Sequence, residues 1–396
     1  MKTYKNMFNK MLNPEVVAKC ALDAAEGKLR RKDVVNAFRS FDSTYNKVIA
    51  CANNPNYQPC EDNVHEIIDG ANHKKRAIEK PKFCPEQILH HMIIEPFKEV
   101  LLNGLYEQVY GCLPESRTIN KNGKIIVRKY GPHSAIKQLI KWTQGKKCKL
   151  YICETDIHHA YGSVVIDILY EKLKRVICDK EWLRLVAQFL YHAKDQGLIL
   201  GHYTSPWFFN FYLKDFDHFA AQQGVKYLRF ADNIFMVSSN KRKLQKALAT
   251  MREYLRNNLK LELNRSTQVY RFEYVDSNGN VRGRAINALG AVIHHNRTTL
   301  RKSILRRIRR KALKISKKNN ITWHDGSSML ARLSWIKHTD TYNYYLTYVK
   351  PYINIGLLKN KIRRYCMALT SLRIERRRLI NEGLERSKRM REARRI

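Results

Sequence analysis

Two aspartates sit where strands are about to end. In KYLRFADNIFMVSS, residues 226–239, two apolar, β-prone runs flank a short polar turn. Tyr227 to Phe230 reads as one strand and Ile234 to Val237 as the next, with Ala231, Asp232 and Asn233 at the tip between them. A carboxylate held at a rigid hairpin tip suits a hard cation such as Mg²⁺. Taken alone, the stretch reads first as an ordinary surface hairpin with a turn aspartate, because Asp and Asn are common turn formers. A second stretch upstream changes this. CKLYICETDIHHAYGSV, residues 148–164, also reads as a strand, and it ends at Asp156. Two strand-end carboxylates side by side in one sheet could hold paired metal ions, an arrangement that supports phosphoryl transfer.

The rest of the chain has to position that pair. Its 396 residues are 44% apolar, enough for two or three packed subdomains. Lys plus Arg number 74 against 35 for Asp plus Glu, a formal charge of +39. Such a protein is expected to meet a polyanion, with nucleic acid as the default and an anionic membrane surface as the competitor. No apolar run approaches the roughly 20 residues of a spanning helix, and no lipidation motif is present. The first residues, MKTYKNMFNKMLNPEVV, lack the apolar core of a signal peptide, so a cytoplasmic, intracellular protein is expected. Nine scattered cysteines without a CxxC pair argue against both a disulfide framework and a zinc finger. The His-His doublets at 90–91, 158–159 and 294–295 place neighbouring side chains in different directions, so a shared metal is not expected of them. A nucleic-acid surface or a half-buried position suits each better.

In chain order, residues 1 to about 70 read as polar and helical, with apolar residues at helical spacing and a loop at 51–63. In residues 74–97, Arg76, Ile78, Lys80 and Lys82 alternate like a basic strand bounded by Pro81 and Pro85, and a helix follows from about Glu86. The strand reads as a solvated edge or as a basic arm over a triphosphate or template strand. Tyr161, five residues past Asp156, lies where the chain must leave its strand; it reads as a core aromatic or as a ring beside a bound sugar. In residues 197–213, Gly197 and Gly201 allow close backbone approach. There Ser205 reads as a helix N-cap with Pro206 at the first helical position, and Asp215 and Asp217 on that helix are expected at the surface. A helix from Lys241 to about Asn258 leads to an alternating strand, LKLELNRSTQVYRF, and then to a short strand at 286–295. Residues 300–318 carry ten basic residues and no acid, with Leu305, Ile308, Ala312 and Ile315 as one apolar stripe. That pattern is a helix with a packed face and a phosphate face bearing Arg306, Arg307, Arg309 and Arg310. Residues 327–353 read as two shorter helices, and the tail after about Leu369 as an Arg-rich helix or arm.

The ordered set of a basic strand, Asp156 with Tyr161, a Gly-rich loop ending Thr-Ser-Pro, a Phe-Ala-Asp-Asn hairpin, a Leu-Gly strand and a basic helix resembles the reverse transcriptases of bacteria and phages. It is most similar to the group II intron and diversity-generating retroelement types, and the match runs from about Lys74 to about Tyr345. The resemblance implies an α+β right-hand polymerase: fingers and palm over 74–295 with an antiparallel palm sheet of the split βαβ kind, a basic helical thumb and C-terminal arm over 296–396, and an N-terminal helical extension over 1–73.

Carried residue by residue, Asp156 and Asp232 match the catalytic aspartates, and Asn233 and Ile157 join them in the metal set for two Mg²⁺ ions, with Mn²⁺ as a substitute. Tyr161 matches the gate that excludes a ribose 2′-hydroxyl. Gly201 to Ser205 match the loop touching the incoming nucleotide and template base, Arg76 and Lys80 the basic finger strand near the triphosphate, and Leu289 and Gly290 the primer grip. Ser334 to His338 are similar to a thumb segment of the retroelement group. The implied partners are an RNA template, a DNA primer and deoxynucleoside triphosphates, with room for an accessory protein and no membrane. The sequence departs from the family in three places: Asn233 stands where a second Asp is usual, the loop reads Gly-Leu-Ile-Leu-Gly-His, and Pro206 agrees with the intron type rather than the retroelement type. Two alternatives accompany the reading: a nucleic-acid-binding protein with a weakened polymerase core, and a phage-defence polymerase that makes little use of a template.

Overall fold

The computed structural model describes residues 3–60, 63–68, 75–119, 125–146, 148–192 and 197–393. Lys74, where the family resemblance begins, and residues 394–396 of the C-terminal arm lie outside them. Helices Met7–Leu12, Pro14–Ala24, Lys32–Arg39 and Phe41–Asn53 open the chain. Pro14 starts the second at no cost in donors, and the Asn13 side chain accepts the Glu15 N–H at 2.9 Å. Their apolar faces, among them Val17, Ala21, Val34, Phe38 and Val48, join one large core with the helix Ile88–Leu102.

Strands β1 (Asn63–Ile68) and β2 (Lys75–Lys80) form an antiparallel hairpin. The basic strand expected from the alternation is β2, whereas β1 falls in a segment read as helical. Then come β3 (Val109–Tyr110), the hairpin β4 (Ser116–Ile119) and β5 (Ile125–Arg128), and the palm strands β6 (Tyr151–Asp156), β7 (Lys226–Phe230), β8 (Asn233–Ser238) and β9 (Gln268–Arg271). A small hairpin of β10 (Tyr274–Val275) and β11 (Val281–Arg282) precedes a three-stranded sheet of β12 (Ile286–Ala288), β13 (Ala291–Ile293) and β14 (Thr298–Leu300).

The palm sheet has the order β3-β7-β8-β6-β9. β6 and β7 run the same way with antiparallel β8 inserted between them, which is a split βαβ arrangement. β3 joins the sheet by parallel pairing with β7, and the other described neighbours in the sheet are antiparallel. Period-two alternation sorts the strand residues between two cores. Cys153, Tyr227, Ile234 and Met236 face the helical core, whereas Ile152, Leu228, Phe235 and Val237 face a smaller one. The smaller core is completed by the helix Pro132–Thr143 and by β12 and β13. Both faces are therefore covered, and the sheet is held rigid behind its hairpin tip.

Beyond β14, the acid-free run is the helix Lys302–Ser316, and its buried residues are Ile308, Ala312 and Ile315. It packs with Trp323–Ile336 in a third core. The tail is one continuous helix, Ile355–Ala393. It touches Trp323–Ile336 near its start and the N-terminal helices near its end, where Ile380 is buried in the main core and Gly383 lies against Phe41.

Candidate active site

The β6–β8 register places Asp156 opposite Asn233, and the two-residue turn Ala231–Asp232 closes β7 onto β8. Both aspartates thus come to one end of one sheet. The N–H of Ile157 donates to the Asp232 carbonyl at 3.1 Å, fixing the end of β6 to the hairpin turn. Asn264 holds Asp156 twice: its N–H donates to the Asp156 carbonyl at 2.8 Å, and its Nδ2 to Oδ2 at 3.2 Å. Asn233 donates its Nδ2 to Oδ1 of Asp232 at 2.9 Å.

Burial raises the pKa of the Asp232 carboxyl, and the charge of Asp156 raises it further; its own backbone N–H, Arg76 and the Asn233 amide offset part of that rise. Two hard-oxygen carboxylates brought to one sheet edge, the charge of one acting on the other, are a donor set that fits a divalent cation. Among the described residues, no cluster of three or more His, Cys, Asp or Glu forms a further metal group.

Tyr161 stacks on Phe209 with ring centroids 4.9 Å apart and shares a hydrogen bond with the Cys112 side chain. Burial raises its phenol pKa, and the Cys112 thiol and the charge of Asp232 add to the effect, so the ring is both packed and within electrostatic reach of Asp232. Its carbonyl accepts the Leu198 N–H at 2.8 Å, which ties the loop 197–201 to the turn after β6.

Gly201 requires its lack of a side chain. Its φ is +114°, and a Cβ there would lie 2.0 Å from the Glu79 carbonyl oxygen. Next to it, the Glu79 N–H donates to the Leu200 carbonyl at 2.9 Å. The loop is thus docked on β2, whose Arg76 acts electrostatically on Asp232. Lys80, at the other end of β2, lines a cavity of about 590 Å³ with Arg31, Lys47, His65 and Lys82. Ser205 is buried and donates its hydroxyl to the Ile199 carbonyl at 2.6 Å, closing the loop on itself. The adjacent Thr204 bonds the buried His90 ring at 3.0 Å.

Leu289 and Gly290 both have positive φ, 50° and 91°, at the turn between β12 and β13. A Cβ on Gly290 would meet the Ile304 and Trp335 side chains, so this turn is the seam between palm and thumb. His338, at the end of the Ser334–His338 segment, lies with its ring 4.0 Å from that of His133. Arg306, Arg309 and Arg310 are exposed on Lys302–Ser316, and Arg309 lies 5.3 Å from the Tyr348 ring centroid; Arg307 is half-buried.

The structure corrects several expectations. His90 is fully buried, neither half-buried nor at a surface. Ser205 is the first residue of its helix rather than the N-cap, which is Thr204. Asp217 is not at the surface: its side chain is fully buried and ion-paired to Arg229 at 2.7 Å. The signal was present in KYLRF, because an arginine inside a central apolar strand requires a buried acid. Asn264 and Cys112 were also missed, because nothing local in either stretch marks them.

The reverse transcriptase (RNA-dependent DNA polymerase) family model matches residues 94–293, just over half of the chain, and the protein belongs to that family. The match includes Asp156, Tyr161, Gly201, Ser205 and Asp232; Arg76, Lys80 and the thumb arginines lie outside it. The fold is the α+β right hand, with the sheet described above as its palm. Among solved structures, the telomerase of Candida albicans in complex with a TWJ fragment of telomeric RNA aligns at a TM-score of 0.43 and 11% identity, covering 83% of this chain and 62% of that one. Apo telomerase of Candida tropicalis, truncated from its C-terminal domain, aligns at 0.39 and 13% identity, over 66% of this chain and 60% of that one. The chain thus spans less than two thirds of either structure. No curated protein matches the sequence. No helix among the described residues is long and apolar enough to cross a membrane.

Proposed function

We propose that the protein is an RNA-directed DNA polymerase that extends a DNA primer on an RNA template, belonging to a bacterial or phage retroelement and acting in the cytoplasm. One observation carries the reading: within the family match, β6 and the β7–β8 hairpin bring Asp156 and Asp232 to one edge of one sheet, where the Asp156 charge acts on the Asp232 carboxyl. Two Mg²⁺ ions held by Asp156 and Asp232, with Asn233 and Ile157 beside them, would activate the primer 3′-hydroxyl and stabilise the leaving pyrophosphate. Asn264 keeps the Asp156 carboxylate aimed at that edge. Arg76 and the loop ending at Gly201 face the triphosphate from the fingers side. Lys80 joins Arg76 in the nucleotide-binding set, and Arg306, Arg307, Arg309 and Arg310 hold nucleic-acid backbone without reading sequence. Pro206 points to the intron type, and Ser334–His338 to the retroelement type.

Tyr161 is the sugar gate in this reading, supported by its packing on Phe209 and its closeness to Asp232. Tyr161→Ala should admit ribonucleotides while leaving hybrid binding intact; a variant that rejects them as well as the parent does would make Tyr161 a core residue only. The function itself is tested by primer extension on RNA, on DNA and without template, with Asp232→Asn as control. Extension on RNA that the control lacks is expected. Extension without template would favour a phage-defence polymerase. No extension with any metal would favour the weakened nucleic-acid-binding core, the alternative to which Asn233 points.

A further inference from the structure

Arg229 and Asp217 form a charge pair with both side chains fully buried, three residues from Asp232 in sequence on the Arg229 side. Nε and Nη2 of Arg229 each donate to a different Asp217 oxygen at 2.7 Å, and the Tyr227 hydroxyl donates to Oδ1 at 2.8 Å. Nη1 of Arg229 points the other way. It donates to Oδ1 of Asn210 at 3.0 Å and to the carbonyl of Ala231 at 2.8 Å. Asn210 in turn donates to the Pro206 carbonyl at 3.0 Å. The chain of bonds therefore runs from two helices, Ser205–Tyr212 and Lys214–Ala221, to the tip of the β7–β8 hairpin.

Stability alone does not explain this. Apolar residues of similar volume commonly replace a buried ion pair without loss. What they would not supply is the directed N–H on Ala231. That residue is left-handed (φ 51°), a conformation that a non-glycine residue adopts only when its surroundings hold it there. A second contact presses from β3: the Ala231 N–H donates to the Tyr110 carbonyl at 3.0 Å, and a Cβ on Gly111 would lie 2.9 Å from that nitrogen. Ala231 is the residue before Asp232, so its twist sets the direction in which the carboxylate leaves the turn.

We propose that Arg229, clamped by Asp217 and Asn210, is the positioning residue of the site: by holding the Ala231 carbonyl it fixes the left-handed turn that delivers Asp232 to Asp156. The inference rests on the reading of Asp232 as a metal ligand. It assigns the buried pair to the geometry of the site rather than to the stability of the palm.

The test removes both charges at once, with Arg229→Met and Asp217→Leu in the same chain. Three quantities are measured: thermal midpoint, Mn²⁺ affinity by electron paramagnetic resonance with Asp232→Asn defining the site-specific signal, and primer extension. The double variant should melt near the parent but bind Mn²⁺ about 10- to 100-fold more weakly, the usual cost of losing a group that orients a ligand. Arg229→Lys keeps a charge opposite Asp217 and lacks the planar fork, so it should fall between the two, and it carries the test if the double variant does not fold. A folded variant of either kind with the parent's Mn²⁺ affinity overturns the proposal, and so does a parent that binds no Mn²⁺. A parent that binds Mn²⁺ and extends no primer overturns the polymerase reading alone, while the affinity loss in the variants still supports the positioning role.

Discussion

Asp232 in the palm and Asp325 in the thumb are both withdrawn from solvent in a protein of formal charge +39, yet their surroundings push them in opposite directions. Asp325 accepts from Lys311 at 2.8 Å and from Lys318 at 2.7 Å, and forms a capping box with Thr322 at the start of Trp323–Ile336. These donors hold its carboxyl well below the usual carboxylate range, the Lys311 and Lys318 bonds most of all. Asp232 sits in the same positive molecule beside another carboxylate, and burial keeps its pKa raised. The thumb corner settles its charge within the fold. The palm edge leaves charge unsettled, which is what a site that takes up cations requires.

The largest effect should come from neutralising the unsettled side. Asp156→Asn and Asp232→Asn are each expected to abolish primer extension while holding or raising the thermal midpoint, because each removes one of two like charges. A variant that loses activity only in proportion to lost stability would break the contrast. Next come the arginines of the basic thumb helix, Lys302–Ser316. Replacing Arg306, Arg307, Arg309 and Arg310 together by Ala should weaken hybrid binding and flatten the plot of log affinity against log salt by about 3–4 units, at roughly 0.9 per phosphate contact. An unchanged slope would move the nucleic acid off Lys302–Ser316.

Asp325→Asn should leave the palm chemistry intact but cost about 1–3 kcal/mol of thumb stability, read by calorimetry. Its pH dependence has a definite sign. The folded pKa is depressed, so the contribution is present above the unfolded carboxylate value of about 3.9 and is lost as pH falls through the folded one. For Asp232 the folded pKa is raised. Its contribution is present below the unfolded value and is lost as pH rises through the folded one, so the carboxylate burdens the fold at neutral pH until a cation arrives.

The difference between the two sites also explains what the sequence disclosed. The hairpin strands expected over Tyr227–Phe230 and Ile234–Val237 appear as Lys226–Phe230 and Asn233–Ser238, and the stripe Ile308, Ala312 and Ile315 is buried. Period and turn chemistry are local, so these elements were legible. Asp217 was not, because KDFDHFAA marks Asp215 and Asp217 alike as polar, and only the fold separates the exposed one from the one bonded to Arg229. β1 was missed because its partner β2 lies beyond intervening residues and its exposed face carries no core pattern. Asn264 reaches Asp156 across 108 positions of chain, a distance at which spacing carries no signal.

The smallest effect, and the sharpest probe of the contrast, belongs to Asn233. Its amide donates to Asp232, and that bond lowers a carboxyl which burial and Asp156 raise. The residue thus does by hydrogen bonding, without charge, a little of what the lysines do for Asp325. Asn233→Asp removes the donor and adds a third carboxylate. Without metal, the added charge should push the Asp232 carboxyl up further and lower the thermal midpoint. With metal, it should strengthen Mg²⁺ binding, because a hard cation prefers carboxylate to amide oxygen. Activity should therefore be kept or increased at a lower Mg²⁺ requirement, and the parent should be the better served of the two by Mn²⁺. Asn233→Ala removes the donor and adds nothing, so the acid limb of metal binding should move to higher pH than in the parent. Primer extension across Mg²⁺ and Mn²⁺ titrations, repeated at several pH values below neutral, reads both outcomes. If Asn233→Asp is active where the parent is silent at every metal concentration, the palm edge of the natural protein lacks the charge to hold its ions, and the weakened-core alternative is the correct one.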